Sequence, residues 1–152
     1  MSVWLPYFVL IGIAFGAAAV GSFFSPGEWY ESLRKPSLNP PNWVFGPVWT
    51  LLYLCIGISA TWVWKETQQI RYLVPWLIQL ALNSAWTWIF FGLHRPDLAF
   101  IEIRILWAAI LINLIVFLRV HPRAAYLLIP YLLWVSFASF LNWRIWALNM
   151  PT

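Results

Sequence analysis

The sequence predicts an all-α membrane protein: a single bundle of five transmembrane helices with a proline-rich loop between helices one and two. Hydrophobic residues make up 62% of the 152 positions and charged residues 9%, and the mean hydropathy is +0.75. This composition leaves too little polar surface to coat a water-soluble domain. Apolar runs long enough to cross about 30 Å of hydrocarbon recur five times.

The five apolar runs predict the helices in order along the chain. The predicted spans cover residues 4–24, 43–64, 72–92, 98–118 and 124–148. The first run lacks a basic leader and a small-residue cleavage site, so we interpret it as the first helix of the mature protein and not as a signal peptide. Because the later connections are short, helices two to five should pack as antiparallel neighbours. We expect one domain over residues 1–152.

The proline-rich loop, residues 25–42, is predicted to act as a lid. Its four prolines fix φ and remove backbone donors, so the loop cannot be helical throughout. A loop of restricted shape beside an apolar helix can cover a ligand, whereas a surface connector that is rich in proline is the alternative. The residues assigned to the lid are Trp29, Arg34, Lys35, Pro36, Pro40 and Pro41, and Pro26 also lies in the loop.

Charge and metal-ligand content exclude several classes of function. The net charge of +4 comes from basic residues placed singly at helix ends, where they anchor to headgroups, so we expect no nucleic-acid binding. The single Cys55 excludes an intramolecular disulfide. His94 and His121 fall in connections on opposite sides of the membrane and cannot jointly hold a haem iron. We predict no metal site and no required cofactor.

The charges of the loops predict the orientation of the protein in the membrane, and the small residues of two helices predict how it dimerises. A small excess of loop Lys and Arg on the N-terminal side favours a cytoplasmic N-terminus. Gly12 and Gly16 in helix one, and Ala81 and Ala85 in helix three, are pairs of small residues four apart that let helix backbones approach closely. Such contacts form inside one chain or between two copies. We predict a homodimer through these faces.

The 13 tryptophans divide into those near span ends and those deeper in the bundle. Indole prefers the headgroup boundary, so we assign the tryptophans near span ends to the aromatic belts. For the deeper residues, helical spacing predicts three shared faces. These faces are Phe45, Trp49 and Tyr53 on helix two; Asn83, Trp86, Thr87 and Phe90 on helix three; and Trp134, Ala138, Leu141 and Asn142 on helix five.

Polar groups inside the predicted spans need partners. Asn83 and Asn142 should point into the bundle and bond each other, a backbone group or a ligand. Hydrogen bonds that join helices are the structural alternative to a ligand site. Glu102 and Arg144 are predicted at similar depth in helices four and five, so we expect a buried ion pair between them.

Three ordered blocks of sequence resemble the TspO/MBR family, that is, the tryptophan-rich sensory proteins and translocator proteins, also called peripheral-type benzodiazepine receptors. The blocks are WYESLRKPSLNPPNWVFGPVWTLLY at 29–53, QLALNSAW at 79–86 followed by FFG at 90–92, and PYLLWVSFASFLNWRIWALN at 130–149. The resemblance implies a five-helix membrane protein, often dimeric, that binds porphyrins and hydrophobic drug-like ligands beneath its first loop. It also implies a role in tetrapyrrole handling or stress responses.

The resemblance also implies particular binding residues. The two pocket tryptophans of the family fall on Trp49 and Trp134, and the helix-four acid falls on Glu102. The remaining matched positions are Tyr30, Phe45, Gly46, Asn83, Leu98, Ile101, Ala138 and Leu141. Where the cholesterol motif of eukaryotic members has a tyrosine and a later basic residue, this chain has Trp143 and Ala147, so cholesterol recognition is not expected.

The leading hypothesis is a membrane-embedded binding protein for protoporphyrin IX or a related tetrapyrrole. Trp49 and Trp134 would pack on the macrocycle, and Arg34 or Lys35 would meet its propionates. The first alternative is an enzyme that degrades porphyrin with light or oxygen, in which the same two tryptophans are catalytic. No conventional catalytic constellation exists in the sequence. A porphyrin or sterol transporter and a sensory role through a protein partner are further alternatives.

Overall fold

The computed structural model describes residues 2–24 and 26–151, and in these the regular structure is helical throughout. The helices are α1 (Leu5–Ser22), α2 (Glu28–Ser32), α3 (Asn42–Thr67), α4 (Val74–Thr87), α5 (Pro96–Val120), α6 (Pro122–Leu127) and α7 (Ile129–Leu148). The all-α prediction is therefore confirmed. Met1, Ser25 and Thr152 belong to the predicted domain or loop but lie outside the described residues.

Four helical stretches are long and apolar enough to cross a bilayer. They are α1, α3, α5 and the stretch Pro122–Leu148, which contains α6 and α7. Many of their large apolar side chains face outward, for example Phe8, Leu51 and Leu133. An apolar exterior on helices of this length is suited to lipid. The prediction of a multi-pass integral membrane protein is confirmed.

The third predicted span, residues 72–92, is less regular than expected. A 3₁₀ turn at Ile70–Tyr72 precedes α4, which has 14 residues, and a π turn at Trp88–Gly92 continues it. In the π turn the Leu93 N–H donates to the Trp88 carbonyl over 2.9 Å, and the following His94 takes a left-handed φ of 54°. Because of these interruptions α4 is not among the four membrane-length helices, so the count of five spans stays a prediction.

The last predicted span, residues 124–148, is divided by proline. Pro130 has no N–H to donate to the preceding turn, and the chain passes from α6 to α7 at Leu128. A second proline, Pro122, begins α6, and the preceding His121 is extended, as expected before proline. The His121 Nδ1 accepts a hydrogen bond from the Ala124 N–H at 3.2 Å, which caps the helix.

The most extensive helix contacts join α1 to α3, α4 to α5, and α5 to α7. Gly57 allows α1 and α3 to touch, because a Cβ at this position would lie 2.6 Å from the Ile11 Cα. Toward the N-terminal side of the bundle the core is solid: Ile56, Trp76 and Phe117 have no exposed surface. Toward the proline-rich loop the helices separate and enclose a cavity.

The proline-rich loop combines one short helix with an irregular stretch. The helix α2 ends at Ser32, and the stretch Leu33–Pro41 contains a turn in which the Asn39 N–H donates to the Pro36 carbonyl at 3.0 Å. Pro36, Pro40 and Pro41 all lie in the irregular stretch, as their fixed φ predicts. The loop runs across the end of the bundle and reaches α7 on its far side.

Candidate functional site

A cavity of about 660 Å³ lies beneath the proline-rich loop. This volume falls within the roughly 300–1,000 Å³ that is typical of small-molecule sites. Its lining comes from α1, the loop, α3, α4 with its π turn, and α7. The lining residues are Phe15, Ala18, Gly21, Ser22, Phe24, Pro26, Tyr30, Glu31, Asn39, Asn42, Phe45, Gly46, Trp49, Thr50, Tyr53, Asn83, Trp86, Thr87, Phe90, Phe91, Trp134, Ala138, Leu141, Asn142 and Ile145.

Trp49 of α3 and Trp134 of α7 pack edge to face in the cavity wall. Their ring centroids are 6.4 Å apart and their planes are nearly perpendicular, at 89°. Phe45 lies edge-on to Trp134 at 5.9 Å, and Tyr53 lies 5.6 Å from Trp49. Helical spacing places Phe45, Trp49 and Tyr53 on one face of α3, so each turn adds a ring to the same wall. The result is a corner of flat apolar surfaces.

A chain of hydrogen bonds forms the floor of the cavity. The Tyr53 hydroxyl donates to the Asn83 Oδ1 at 2.8 Å, and the Asn83 Nδ2 donates to the Tyr131 hydroxyl at 2.8 Å. Tyr131 donates in turn to the Gln79 Oε1 at 2.7 Å. All four side chains are buried. Because both ends of the Asn83 amide are engaged, Asn83 joins α3, α4 and α7 and fixes the tyrosines against which Trp49 packs.

Asn142 performs a similar structural task at the side of the cavity. Its Oδ1 accepts from the Trp86 indole N–H at 2.9 Å, and its Nδ2 donates to the Pro96 carbonyl at 2.8 Å. Trp86 stacks on Phe90 with centroids 5.1 Å apart. The two predicted asparagines therefore bond protein partners and not each other. The prediction left this structural role open beside a ligand role, and the amide groups of both residues are satisfied without a ligand.

Two buried polar atoms of lining residues have no hydrogen-bond partner among the described residues. They are the indole Nε1 of Trp134 and the Oδ1 of Asn39. A buried donor or acceptor without a partner costs about 1–3 kcal/mol. Neither atom has appreciable accessible surface, so a ligand would reach it only after the neighbouring side chains rearrange. A ligand with complementary polar atoms would remove this cost.

The loop covers the cavity through Tyr30, which is only 5% exposed. The Tyr30 ring packs edge-on against Phe90 and Phe91, and the Asn39 Nδ2 donates to its hydroxyl at 3.3 Å. Burial raises the pKa of the Tyr30 hydroxyl, so it remains neutral and accepts this hydrogen bond throughout the physiological range. The neighbouring Trp29 stacks on His94 with ring centroids 4.3 Å apart.

The structure brings most of the predicted binding residues to the cavity and leaves out two. Leu98 and Ile101 of α5 do not line it and are 39% and 57% exposed. They lie on the outer face of α5, whereas Ala99, Glu102 and Ile103 occupy its inner face. The predicted lining residues that line the cavity are Tyr30, Phe45, Gly46, Trp49, Tyr53, Asn83, Trp86, Phe90, Trp134, Ala138, Leu141 and Asn142.

The predicted lid residues lie in the loop but not in the cavity lining. Trp29 packs on His94, and Lys35 lies over the Tyr30 ring with its Nζ 4.6 Å from the centroid. Arg34 contributes its backbone to a contact with α7. Among the described lining residues Glu31 is the only charged one. Its Oε1 accepts from the Asn42 Nδ2 at 3.1 Å.

The predicted ion pair between Glu102 and Arg144 does not form. Glu102 is 8% exposed, and neither of its carboxylate oxygens has a hydrogen-bond partner among the described residues. Arg144 instead lies beside the ring of Trp143, which is 43% exposed, with its guanidinium carbon 5.6 Å from the centroid. Similar depth was the basis of the prediction, but Glu102 points into the bundle and Arg144 follows the outer face of α7.

Sequence reasoning missed the contribution of α1 to the cavity. Phe15, Ala18 and Ser22 line it and recur at helical spacing. The helical spacing of these residues could have predicted a cavity-facing side of α1. The glycines and alanines of α1 were interpreted only as a surface for close helix packing. Phe91 was also missed because the regular spacing on helix three selected only Phe90. No cluster of three or more potential metal ligands occurs among the residues that the structure describes.

Comparisons with known proteins agree with this architecture. The family model for the TspO/MBR family matches residues 7–147. The tryptophan-rich protein TspO of Chlorobaculum tepidum is 42% identical, over 91% of this chain and 92% of its own length. The protein CrtK of Rhodobacter capsulatus is 37% identical, over 98% and 94%, and the human translocator protein is 41% identical, over 86% and 82%. The chain belongs to the TspO/MBR family.

Proposed function

We propose that the protein binds porphyrins and related planar apolar ligands in the cavity beneath the proline-rich loop. The observation that carries this proposal is the corner formed by Trp49 and Trp134, whose perpendicular indoles line a partly open cavity of about 660 Å³. Burial of a large flat ligand against such rings yields affinity mainly from the apolar area removed from water. The family relationship supports a role in tetrapyrrole handling or stress signalling, and the ligand would be bound without any required cofactor.

The polar pattern of the cavity supports a ligand that is mostly apolar with a few polar atoms. After a small rearrangement of the side chains that cover them, the Trp134 Nε1 would donate to a ligand acceptor and the Asn39 Oδ1 would accept from a ligand donor. A tetrapyrrole carries ring nitrogens and carbonyl or carboxylate groups on a flat apolar frame. In protoporphyrin IX the propionates would extend past the loop toward Arg34, which is exposed, and toward Lys35.

The proposed topology has five spans with the loop as a lid. The helical stretch from Val74 through the π turn to Gly92 would be the fifth crossing, because α4 packs against both α1 and α5, which are long enough to span. With five crossings the loop and the C-terminal end of α7 lie on one side, as the hydrogen bonds between them require. The opposite side would be cytoplasmic.

A homodimer through the small-residue faces is also proposed. A Cβ on Gly12 or Gly16 would meet no atom within 4 Å, and Gly12 and Ala81 are exposed. Since α1 and α4 are neighbours, these small residues are available to a second copy. Replacement of Gly12 and Gly16 by leucine should then shift the protein from dimer to monomer in bilayer crosslinking. An unchanged dimer fraction would exclude this face.

The test of the proposed binding site is a titration with protoporphyrin IX that compares two double variants. Trp49→Leu/Trp134→Leu should weaken binding by roughly 10- to 100-fold, because each leucine loses a ring contact of about 0.5–1.5 kcal/mol beyond apolar burial. The matched control, Trp43→Leu/Trp143→Leu, removes two exposed tryptophans outside the cavity and should bind like the unchanged protein. Porphyrin absorbance is the readout, since tryptophan quenching depends on how many indoles remain. Equal affinities would refute the site.

A second candidate function, porphyrin breakdown by light, is favoured by the same two rings. An excited porphyrin in contact with Trp134 would take one electron from the indole and become a radical anion. Dissolved oxygen would add to this radical, and return of one electron to the indole would leave an oxygenated porphyrin, so that O2 is the net oxidant. Trp134→Phe keeps an aromatic wall but removes the more oxidisable ring. If the protein is an enzyme, illumination should yield product faster in the unchanged protein than in this variant or in the dark. A transporter has less support, because the Glu102 and Arg144 ion pair on which it rested is absent.

A further inference from the structure

The C-terminal end of α7 holds the proline-rich loop through one side chain. The Asn149 Oδ1 accepts from the backbone N–H of Arg34 at 3.0 Å, and the Asn149 Nδ2 donates to the Arg34 carbonyl at 2.8 Å. The same Nδ2 donates to the Ile145 carbonyl at 2.7 Å in the last turn of α7. The amide thus pairs with both polar groups of one loop residue, as a neighbouring strand would.

These two hydrogen bonds have no equivalent elsewhere in the loop. Among the described residues, they are the only hydrogen bonds from the stretch Leu33–Pro41 to a helix other than the flanking α2 and α3. Leu38, near the middle of the stretch, is 63% exposed and anchors nothing. The prolines remove donors that would otherwise supply further backbone contacts. Leu33 packs on the apolar cluster that contains Ile145, so Asn149 supplies the hydrogen-bonded part of the attachment of this stretch to α7.

Asn149 lies outside the cavity but is connected to it at two points. Its partner in α7, Ile145, lines the cavity, and so do Tyr30 and Asn39 of the loop on either side of Arg34. A closed loop therefore requires that Arg34 stay beside the helix that carries Trp134. Without this contact α2 would still be held by Trp29 on His94 and by Tyr30 against Phe90. The Leu33–Pro41 stretch, in contrast, would lose its hydrogen bonds to the end of α7.

We propose that Asn149 is a positioning residue that latches the proline-rich loop over the cavity and so sets the rate at which ligand enters and leaves. The proposal rests on the proposed function, because it assumes that ligand exchanges beneath this loop. Each hydrogen bond contributes a modest net stabilisation, and two together correspond to roughly a tenfold change in the population of the open loop. Because the closed loop remains the major state, affinity should change much less than the rates.

The experiment compares Asn149→Leu and Asn149→Asp with Leu38→Ala, a control on the loop surface. Asn149→Asp keeps the shape and one acceptor but loses the donor to the Arg34 and Ile145 carbonyls, so it should behave like Asn149→Leu. The first readout uses no ligand: hydrogen exchange at the Arg34 amide should accelerate roughly tenfold in both variants. The second is stopped-flow mixing with protoporphyrin IX, in which association and dissociation rates should rise together by roughly tenfold.

The outcomes separate the latch from the proposed function. Faster amide exchange with faster porphyrin rates in both Asn149 variants, and neither in Leu38→Ala, supports the proposal. Faster amide exchange with unchanged porphyrin rates overturns it, because ligand must then use another route, such as one past the exposed lining residues Ser22 and Thr50. Unchanged amide exchange also overturns it. If the unchanged protein binds no porphyrin, the proposed function fails. The role of Asn149 in ligand entry and release then fails as well, even if faster hydrogen exchange at the Arg34 amide shows that Asn149 holds the loop.

Discussion

The two ends of the bundle are built from the same helices but are packed in opposite ways. At the N-terminal end α1 touches α3 at Gly57, and the buried Ala60, Ala124 and Ala125 leave room for neighbouring helices to close up. At the other end Phe45, Trp49 and their neighbours hold the helices apart around a cavity. Small residues therefore close one end, and large rings keep the other end open.

Tryptophans at the two ends also differ in the hydrogen bonding of their indole N–H groups. Trp76, at the packed end, is fully buried and donates its indole N–H to the Ile56 carbonyl at 3.0 Å. Trp134, at the open end, keeps a buried indole N–H without a partner among the described residues. The bonded indole of Trp76 contributes to stability, whereas the unbonded N–H of Trp134 carries a desolvation cost. The packed end therefore contributes more to the stability of the fold than the open end does.

The largest effect should come from Asn83→Leu, at the boundary between the two ends. The Tyr53 hydroxyl would lose its acceptor and Tyr131 one of its partners, so we expect a loss of about 3 kcal/mol in the free energy of unfolding. Porphyrin affinity should also fall, because Trp49 packs on both tyrosines. Detergent-induced unfolding and an absorbance titration measure the two effects. A variant that keeps both properties would show that the hydrogen-bond chain does not support the site.

Gly57→Ala tests the packed end of the bundle independently of the cavity, because it changes only the contact between α1 and α3. Its Cβ would lie 2.6 Å from the Ile11 Cα, which is backbone and can move only if α1 shifts. We expect a loss of about 2 kcal/mol in unfolding free energy. Gly46→Ala is the matched control in the same helix, since its Cβ would meet nothing within 4 Å. Equal melting temperatures of the two variants would contradict the contrast between a packed and an open end.

A smaller effect is expected from Trp76→Phe. The phenyl ring keeps most of the apolar contact, but the Ile56 carbonyl loses a hydrogen bond, which corresponds to a loss of about 1 kcal/mol. Porphyrin affinity should remain unchanged because Trp76 does not line the cavity. The corresponding Trp134→Phe protein should show the reverse, with similar thermal stability and weaker binding. Identical behaviour of these two variants would remove the distinction between structural and binding tryptophans.

Local patterns in the sequence predicted the helices and the faces of α3 and α7 well. Apolar run length located the membrane-length segments, and helical spacing brought Phe45, Trp49 and Tyr53 to one face. The interruption of the third span was not predicted, although the π turn Trp88–Gly92 ends at a glycine. A Cβ on Gly92 would lie 2.9 Å from the Phe24 ring, a contact with a distant residue that local spacing does not reveal.

Contacts between distant residues were beyond the reach of local patterns. Spacing gives the position of a residue around its own helix axis but not how that helix is rotated against its neighbours. For this reason Glu102 and Arg144 matched in depth yet point apart, and Leu98 and Ile101 face outward. The Arg34 and Asn149 contact joins residues 115 positions apart and leaves no periodic signal.

A structure of the protein with protoporphyrin IX in a lipid bilayer tests the central claim most directly. The macrocycle is expected to pack on the corner formed by Trp49 and Trp134, beneath Tyr30. A porphyrin bound only on the lipid-facing surface, with the cavity filled by rearranged side chains, would contradict it.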